Sequence, residues 1–280
     1  NILITDRFSL ESLITLQQQP YLNVHVSSSA DLLLNSQNGT VDLSNIHGLI
    51  IRSRTKITES ILKLAKNLQV IVTATSGFDH IDLAATQKWG ITVMYTPDAN
   101  IESAAQLTWS LLMAGSRKLI PAHQQVKQGK WQRDLLMGTE LQDKNLGIIG
   151  LGRIGQRVAE IAKAFRMNLL AYDPFQEDSA FQYSNCQRVA YEEILKTSDY
   201  ISFHVPKTKL TTNMLNHSHF EYIRSGIGIV NASRGGIINE QDLIQALEKD
   251  IIGFCAMDVF DKEPLDKNSS LLKYSNIITT

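Results

Sequence analysis

Three glycines and two charged residues set out the chemistry this chain can do. In "LGIIGLGRIGQRVAEIAKAF", Gly150, Gly152 and Gly155 stand at G-x-G-x-x-G spacing between an apolar run and an amphipathic one. At a strand-to-helix turn, the first glycine makes the tight bend, the second lets backbone amides approach a pyrophosphate, and the third brings helix and strand close. The helix N-terminus adds unpaired N–H groups and a positive dipole end, and Arg153 and Ile154 occupy its first turn. Asp173, 18 residues after Gly155, ends the next apolar run. Its carboxylate suits the adenosine ribose hydroxyls and repels a 2′-phosphate, and "DPFQED" brings no Lys or Arg, so NAD is expected over NADP. A plain structural turn with a solvated aspartate is the alternative. Arg234, in "NASRGG", follows another apolar run and precedes two glycines, which puts a cation at the carboxyl end of a strand. There a guanidinium can grip an anionic group of a ligand, or it can serve as a surface ion-pair partner.

These residues need parallel strands to position them. "NILIT", "YLNVHV", "GLIIRS", "QVIVTAT" and "ITVMYT" read as strands, with helical stretches such as "TESILKLAKNL" between them. Their continuous apolar character predicts strands covered on both faces, in βαβ order. The rhythm breaks at Thr96-Pro97-Asp98; residues 100–132 then form the longest helical pattern, interrupted near Gly115 and Pro121. A second alternation runs through "NLGIIG", "NLLAYD", "YISFHV", "GIGIVNAS" and "IIGFCAMDVF" to the final "SNIITT". The expected fold class is α/β with two doubly wound parallel-sheet domains, residues 1–96 and 97–280.

Composition narrows the chemistry. A chain of 280 residues with 43% hydrophobic and 20% charged residues can build two ordinary globular cores. A net charge of −1 offers no electrostatic reason for a nucleic acid or anionic membrane partner, so a small-molecule partner is expected. Two cysteines, Cys186 and Cys255, with no metal-ligand spacing, fit a reduced cytoplasm and no metal site. No apolar run approaches the length of a membrane-spanning helix.

With "IRSRTKIT", "SGFDHIDLAAT", "GKWQRDLLMGTEL", "HVPKTKLTTNMLN", "NASRGGIINEQDLIQAL" and "MDVFDKEP" placed around the glycine turn, the sequence resembles the D-isomer-specific 2-hydroxyacid dehydrogenases. The likeness is strongest to members that act on 3-phosphoglycerate, with features shared by those acting on erythronate 4-phosphate. The resemblance implies a Rossmann-type cofactor domain inserted into a flavodoxin-like substrate domain, to which chains of the family return after the cofactor domain; that returning part is expected to be absent from the present sequence. It implies NAD as cofactor, and a D-2-hydroxy acid or 2-keto acid, phosphorylated, as substrate. It also implies a homodimer or tetramer.

By resemblance, Arg234 and Glu263 are catalytic, Glu263 raising the pKa of a histidine. His204, Val205, Pro206, Ala232, Ser233 and Asp258 are expected to contact the cofactor, Asp258 through the nicotinamide carboxamide. In the first domain Ser76 and Gly77 sit in a strand-end turn whose N–H groups can bind the substrate carboxylate, or simply close a strand. Arg52, Arg54 and Lys56 crowd one strand end; from charge alone they read equally as solvated surface and as a phosphate site. The resemblance assigns Arg52, and Arg133 from a partner subunit, to the substrate phosphate. Two positions depart from the pattern: "TATSG" lacks the family's arginine before its glycine, and Gln106 replaces a usual glutamate.

Ketone reduction needs an acid near pKa 7, for which imidazole is best suited. None of the seven histidines (25, 47, 80, 123, 204, 217 and 219) occupies the family's catalytic position. His217 and His219 read as polar helix surface, and Thr211 and Thr212 as caps of that helix. In the family a strand like Asn276–Thr280 leads at once to Pro-His, so the acid is expected about two residues beyond Thr280. A chain ending at Thr280 is accordingly expected to be inactive and to bind NAD weakly. The same fold also serves NAD(H)-sensing corepressors, a binding-protein alternative that intact Arg234 and Glu263 oppose.

Overall fold

The computed structural model describes residues 1–27 and 42–280. The chain forms two compact units, Asn1–Asn100 and Ile101–Thr280, so Pro97–Asn100 belong with the first unit and the break follows the expected position.

In the first unit five parallel strands, β1 (Ile2–Ile4), β2 (Val24–Val26), β3 (Gly48–Ile51), β4 (Val70–Thr73) and β5 (Thr92–Tyr95), lie in the order β2-β1-β3-β4-β5. Leu3, Leu49, Ile51 and Ile71 from these strands pack with Ile61 and Leu62 of helix α2 (Glu59–Leu64). Helices α1 (Leu10–Gln17) and α3 (Leu83–Lys88) start where short polar side chains satisfy free amides. Ser9 Oγ accepts from Ser12 N at 3.2 Å and Asp82 Oδ1 from Ala85 N at 2.9 Å.

The second unit opens with α4 (Ile101–Ser116) and α5 (Leu119–Lys127). The long helical pattern breaks between them, where Lys118 takes a left-handed conformation (φ 50°), within the stretch from Gly115 to Pro121 in which an interruption is expected. Pro121 falls in the first turn of α5, where its missing N–H has no partner to lose. Gly115 is needed for packing: a Cβ there would stand 2.2 Å from the Phe254 ring.

Seven parallel strands follow: β6 (Asn145–Ile149), β7 (Asn168–Tyr172), β8 (Gln187–Arg188), β9 (Tyr200–Phe203), β10 (Ile227–Asn231), β11 (Ile252–Met257) and β12 (Ile277–Thr279). Their order is β12-β11-β10-β9-β6-β7-β8, which reverses direction between β6 and β9. Successive residues feed opposite cores: Ile148 packs with Leu169, Val158 and Trp109, and Ile149 with Phe203, Ile229 and Met257. That two-sided burial explains the unbroken apolar runs. The two-residue polar strand β8 left no such signal. Both sheets are doubly wound, as the fold class required.

Two local expectations change. The helix His217–Phe220 is capped by Asn216, whose side chain accepts from Ser218 N at 3.2 Å. Thr211 and Thr212 instead brace the preceding turn, donating to Pro206 O and Thr208 O at 2.6 and 2.7 Å. His219 is half-buried, accepts from Asn216 N at 3.2 Å through Nδ1 and meets Tyr191 edge-on, so it is part of the scaffold.

Candidate active site

In the second unit the residues singled out from sequence gather at the carboxyl ends of β6, β7, β9, β10 and β11, around the reversal of strand order where such sheets take ligands. Gly150 leaves β6 with φ +94°, and a Cβ there would meet His204 O at 2.6 Å and Val205 Cγ1 at 2.8 Å. Gly155 lies in α6 (Arg153–Ala164), and its Cβ would stand 2.1 Å from Gly150 O. These two glycines therefore let turn, helix and neighbouring strand close up. Gly152 differs: nothing lies within 4 Å of its missing Cβ. No side chain caps α6 at this residue, so the helix presents bare N–H groups across open space.

Asp173 closes the cradle. Its Oδ2 accepts from Leu151 N and its Oδ1 from Phe175 N, both at 2.9 Å, which holds the half-buried carboxylate at the mouth of the turn. A carboxylate has about four acceptor positions, so two remain for ribose hydroxyls. An uncapped helix start, room at Gly152 and a fixed carboxylate fit a dinucleotide well. Arg153 is exposed at the first helical position and Ile154 is partly buried behind it.

His204 follows β9. Its Nε2 lies 2.7 Å from Ser202 Oγ, and burial pushes the imidazole down to about 4, so it is neutral at physiological pH. Val205 lines the Gly150 turn, and Pro206 O accepts from Thr211 Oγ1 at 2.6 Å.

The loop after β10 is built on Asn231, fully buried, a residue the sequence reading passed over. Its Oδ1 accepts from Ser233 N at 3.1 Å and Ser233 Oγ at 2.8 Å, while its Nδ2 donates to Arg234 O at 3.0 Å. Ala232 packs against the core beneath, and Arg234 Nη1 donates to Ser233 O at 2.7 Å. Asp258 N donates to Asn231 O at 3.1 Å, bringing the loop after β11 alongside. Asp258 Oδ1 accepts from Thr280 Oγ1 at 2.9 Å, so the residue beyond β12 is tied to the same group.

Gly235 then joins Arg234 to Glu263. A Cβ on Gly235 would lie 1.8 Å from Phe260 O, so only glycine lets the two loops touch. On the other side of that peptide Asp261 N donates to Glu240 Oε1 at 2.7 Å, and the N–H of Phe260 itself donates to Glu263 Oε1 at 3.1 Å. Glu263 is exposed, with its second oxygen turned to no described partner. The signal for Gly235 was present in the doubled glycine of "SRGG", but its partner is remote in sequence.

In the first unit, Arg52 leaves β3 with its N–H donated to Asp6 Oδ2 at 2.6 Å. Ser76 and Gly77 follow β4 in a braced turn: Thr75 Oγ1 donates to Gly77 O at 2.6 Å, Ser76 Oγ bonds Asn100 Oδ1, and Thr73 Oγ1 meets His80 Nε2 at 2.9 Å. Thr73 and Thr75 thus support the turn from beneath. In the second unit Arg133 is exposed on a short 3-10 turn, Arg133–Leu136. No cluster of metal-ligating side chains and no helix long and apolar enough to cross a membrane occurs among the described residues.

The sequence profile of the D-isomer specific 2-hydroxyacid dehydrogenase NAD binding domain matches residues 109–280. D-3-phosphoglycerate dehydrogenase of Archaeoglobus fulgidus is 39% identical over 239 residues, covering 85% of this chain and 45% of that protein. The Methanocaldococcus jannaschii protein of the same name is 36% identical over 280 residues, 100% of this chain and 52% of its own. The chain thus spans about half the length of the curated relatives it matches. Among solved structures, D-lactate dehydrogenase from Aquifex aeolicus, complexed with NAD and lactic acid, superposes with a TM-score of 0.88 at 28% identity, over 100% of this chain and 87% of that one. The TT0316 protein from Thermus thermophilus gives 0.87 at 31%, over 100% and 88%. With a glycine cradle, a fixed acidic partner and a profile match over most of its length, this chain belongs to the D-isomer-specific 2-hydroxyacid dehydrogenases and contains their NAD-binding domain.

Proposed function

We propose that the chain works in an NAD-dependent D-2-hydroxyacid dehydrogenase that interconverts 3-phosphoglycerate and 3-phosphohydroxypyruvate, the entry to serine biosynthesis. The observation that carries the reading is the contact of Gly235 with Phe260, which sets the Arg234 and Glu263 loops side by side at the strand ends next to the dinucleotide cradle. NAD would supply the hydride acceptor for the substrate's C2. The chain's residues do the rest. The Gly152 turn and the N-terminus of α6 hold phosphates, and Asp173 takes the ribose and excludes a 2′-phosphate. His204, Val205 and Pro206, with Ala232 and Ser233, would line the cofactor, and Asp258 would accept from its carboxamide. Arg234 draws the substrate carboxylate into place and stabilises negative charge on the C2 oxygen as it gains or loses a proton. Glu263, fixed by Phe260 N, holds and charges the histidine that moves that proton. Because His204 is neutral and committed to Ser202, it is not that group.

Ser76 and Gly77 offer backbone N–H groups to the carboxylate, and Arg52 the charge for a phosphate. A second subunit is part of the proposal, contributing Arg133. Leu119, Val126, Trp131, Leu135 and Met137 are each more than half exposed, an apolar surface around α5 suited to a second copy of the chain. The site of action is proposed to be the cytoplasm, where two buried thiols stay reduced.

The test is NADH formation by the full-length protein with D-3-phosphoglycerate, set against D-glycerate, erythronate 4-phosphate and D-lactate. A preference for 3-phosphoglycerate, lost in Arg52→Ala through KM, supports the reading. Turnover of the unphosphorylated acids with equal efficiency overturns the substrate, and NADH binding without turnover of any acid overturns the enzyme.

A further inference from the structure

The loops after β1 and β3 diverge where the strand order of the first sheet reverses, the place where an open parallel sheet receives its ligand. Asp6 stands there, only 6% exposed. Its Oδ2 accepts from Arg52 N at 2.6 Å and Thr55 Oγ1 at 2.9 Å, and the Thr5 and Thr55 hydroxyls meet at 2.8 Å. These bonds satisfy the buried side chain and lock the segment Thr5–Arg7 to the segment Arg52–Thr55. Arg52 Nη1 also reaches Arg7 O at 3.4 Å, so the Arg7 residue is brought beside the Arg52 guanidinium. Arg7 and Arg54 are exposed, and neither guanidinium has an ion pair or hydrogen bond among the described residues. Cations gathered at a ligand crevice and left unneutralised favour an anion as their common partner.

We propose that Arg7 is a second guanidinium of a phosphomonoester site in the first unit, acting with Arg52, and that Asp6 is the positioning residue that aligns them. The inference rests on the reading that Arg52 receives the substrate's phosphate and adds a residue and a scaffold to it. Arg7 was not legible as a ligand because it lies far from Arg52 in sequence, in a polar segment after a short strand.

The experiment is calorimetric titration of the full chain with 3-phosphoglycerate, with D-glycerate as the probe lacking phosphate, at low ionic strength. Arg7→Ala is expected to weaken 3-phosphoglycerate binding about tenfold while leaving glycerate and the melting temperature unchanged, and Arg7→Lys to recover part of the loss. Asp6→Asn removes a negative charge beside the anion, so charge alone would tighten binding. A positioning role requires it to weaken instead, and Thr55→Val, which removes one of the same bonds, should act in the same direction if Asp6→Asn does not fold. Loss with Arg52→Ala but not with Arg7→Ala overturns this inference and leaves the Arg52 reading standing. No effect of either, or no preference of the unaltered chain for 3-phosphoglycerate over glycerate, overturns both. Tighter or unchanged binding in the Asp6 or Thr55 variant removes Asp6 from the site.

Discussion

Gly152 and Gly155 are three residues apart in one turn, yet the structure assigns them opposite sensitivities to a single methyl group. At Gly152 the backbone is extended (φ −74°, ψ −165°) and no atom stands within 4 Å of an added Cβ. Alanine is a poorer helix cap than glycine but loses less chain entropy on folding; the two effects, each roughly 0.5–1 kcal/mol, oppose one another, so Gly152→Ala should fold with nearly native stability. The methyl would occupy the space by which a pyrophosphate reaches the helix N–H groups. Forfeiting one charge-assisted hydrogen bond, worth about 1.5–3 kcal/mol, weakens NADH binding by roughly 10- to 100-fold. At Gly155 the Cβ would lie 2.1 Å from Gly150 O, so α6 must retreat by about 1.3 Å to reach ordinary contact near 3.4 Å. Overpacking of that kind costs about 1–3 kcal/mol, and it also moves the helix N-terminus. Gly155→Ala should therefore lose both stability and affinity. NADH fluorescence titration and thermal melting of the two variants, side by side, decide the matter. The reasoning fails if Gly152→Ala binds NADH within about threefold of the unaltered chain, or melts as early as Gly155→Ala.

Other outcomes follow from the same geometry. Asp173→Ala should lose the two amide bonds from Leu151 and Phe175 and cut the preference for NADH over NADPH at least tenfold, read by parallel titrations. Gly235→Ala, whose Cβ would stand 1.8 Å from Phe260 O, should push the Arg234 and Glu263 loops apart and lower kcat/KM of the full-length enzyme about a hundredfold; a change under threefold would break the link between these loops. Burial holds His204 down at about 4, below its ordinary value near 6.5, so the unfolded chain binds the extra proton first. Its contribution, on the order of 2–3 kcal/mol, is present above about pH 6.5 and is lost as pH falls toward 4. Urea denaturation from pH 7 to 4 should show that decline, and His204→Asn should flatten it.

Sequence alone determined the apolar strands, their parallel arrangement and the dinucleotide turn, because each is a local pattern. Apolar runs without alternation mean strands covered on both faces, as β6, β9 and β10 are, whereas the edge strands β2 and β5 leave Val26, Met94 and Tyr95 exposed against that expectation; a glycine triplet between a strand and a helix with an acid one strand later has few other uses. The short strand β8 and the scaffold role of His219 were not legible, since each is settled by neighbours distant in the chain. The same holds for the finer construction of the site. "SRGG" showed two glycines but not that Gly235 lies against Phe260, and Asn231 read as a polar residue ending a strand, not as the buried amide that shapes the Arg234 loop. Asp6 and Arg7 looked like an ordinary polar segment until folding brought them to Arg52. Spacing along the chain shows which groups can reach one another locally, whereas a hydrogen bond or close contact between residues far apart in sequence exists only once the sheet has set its strand order and register.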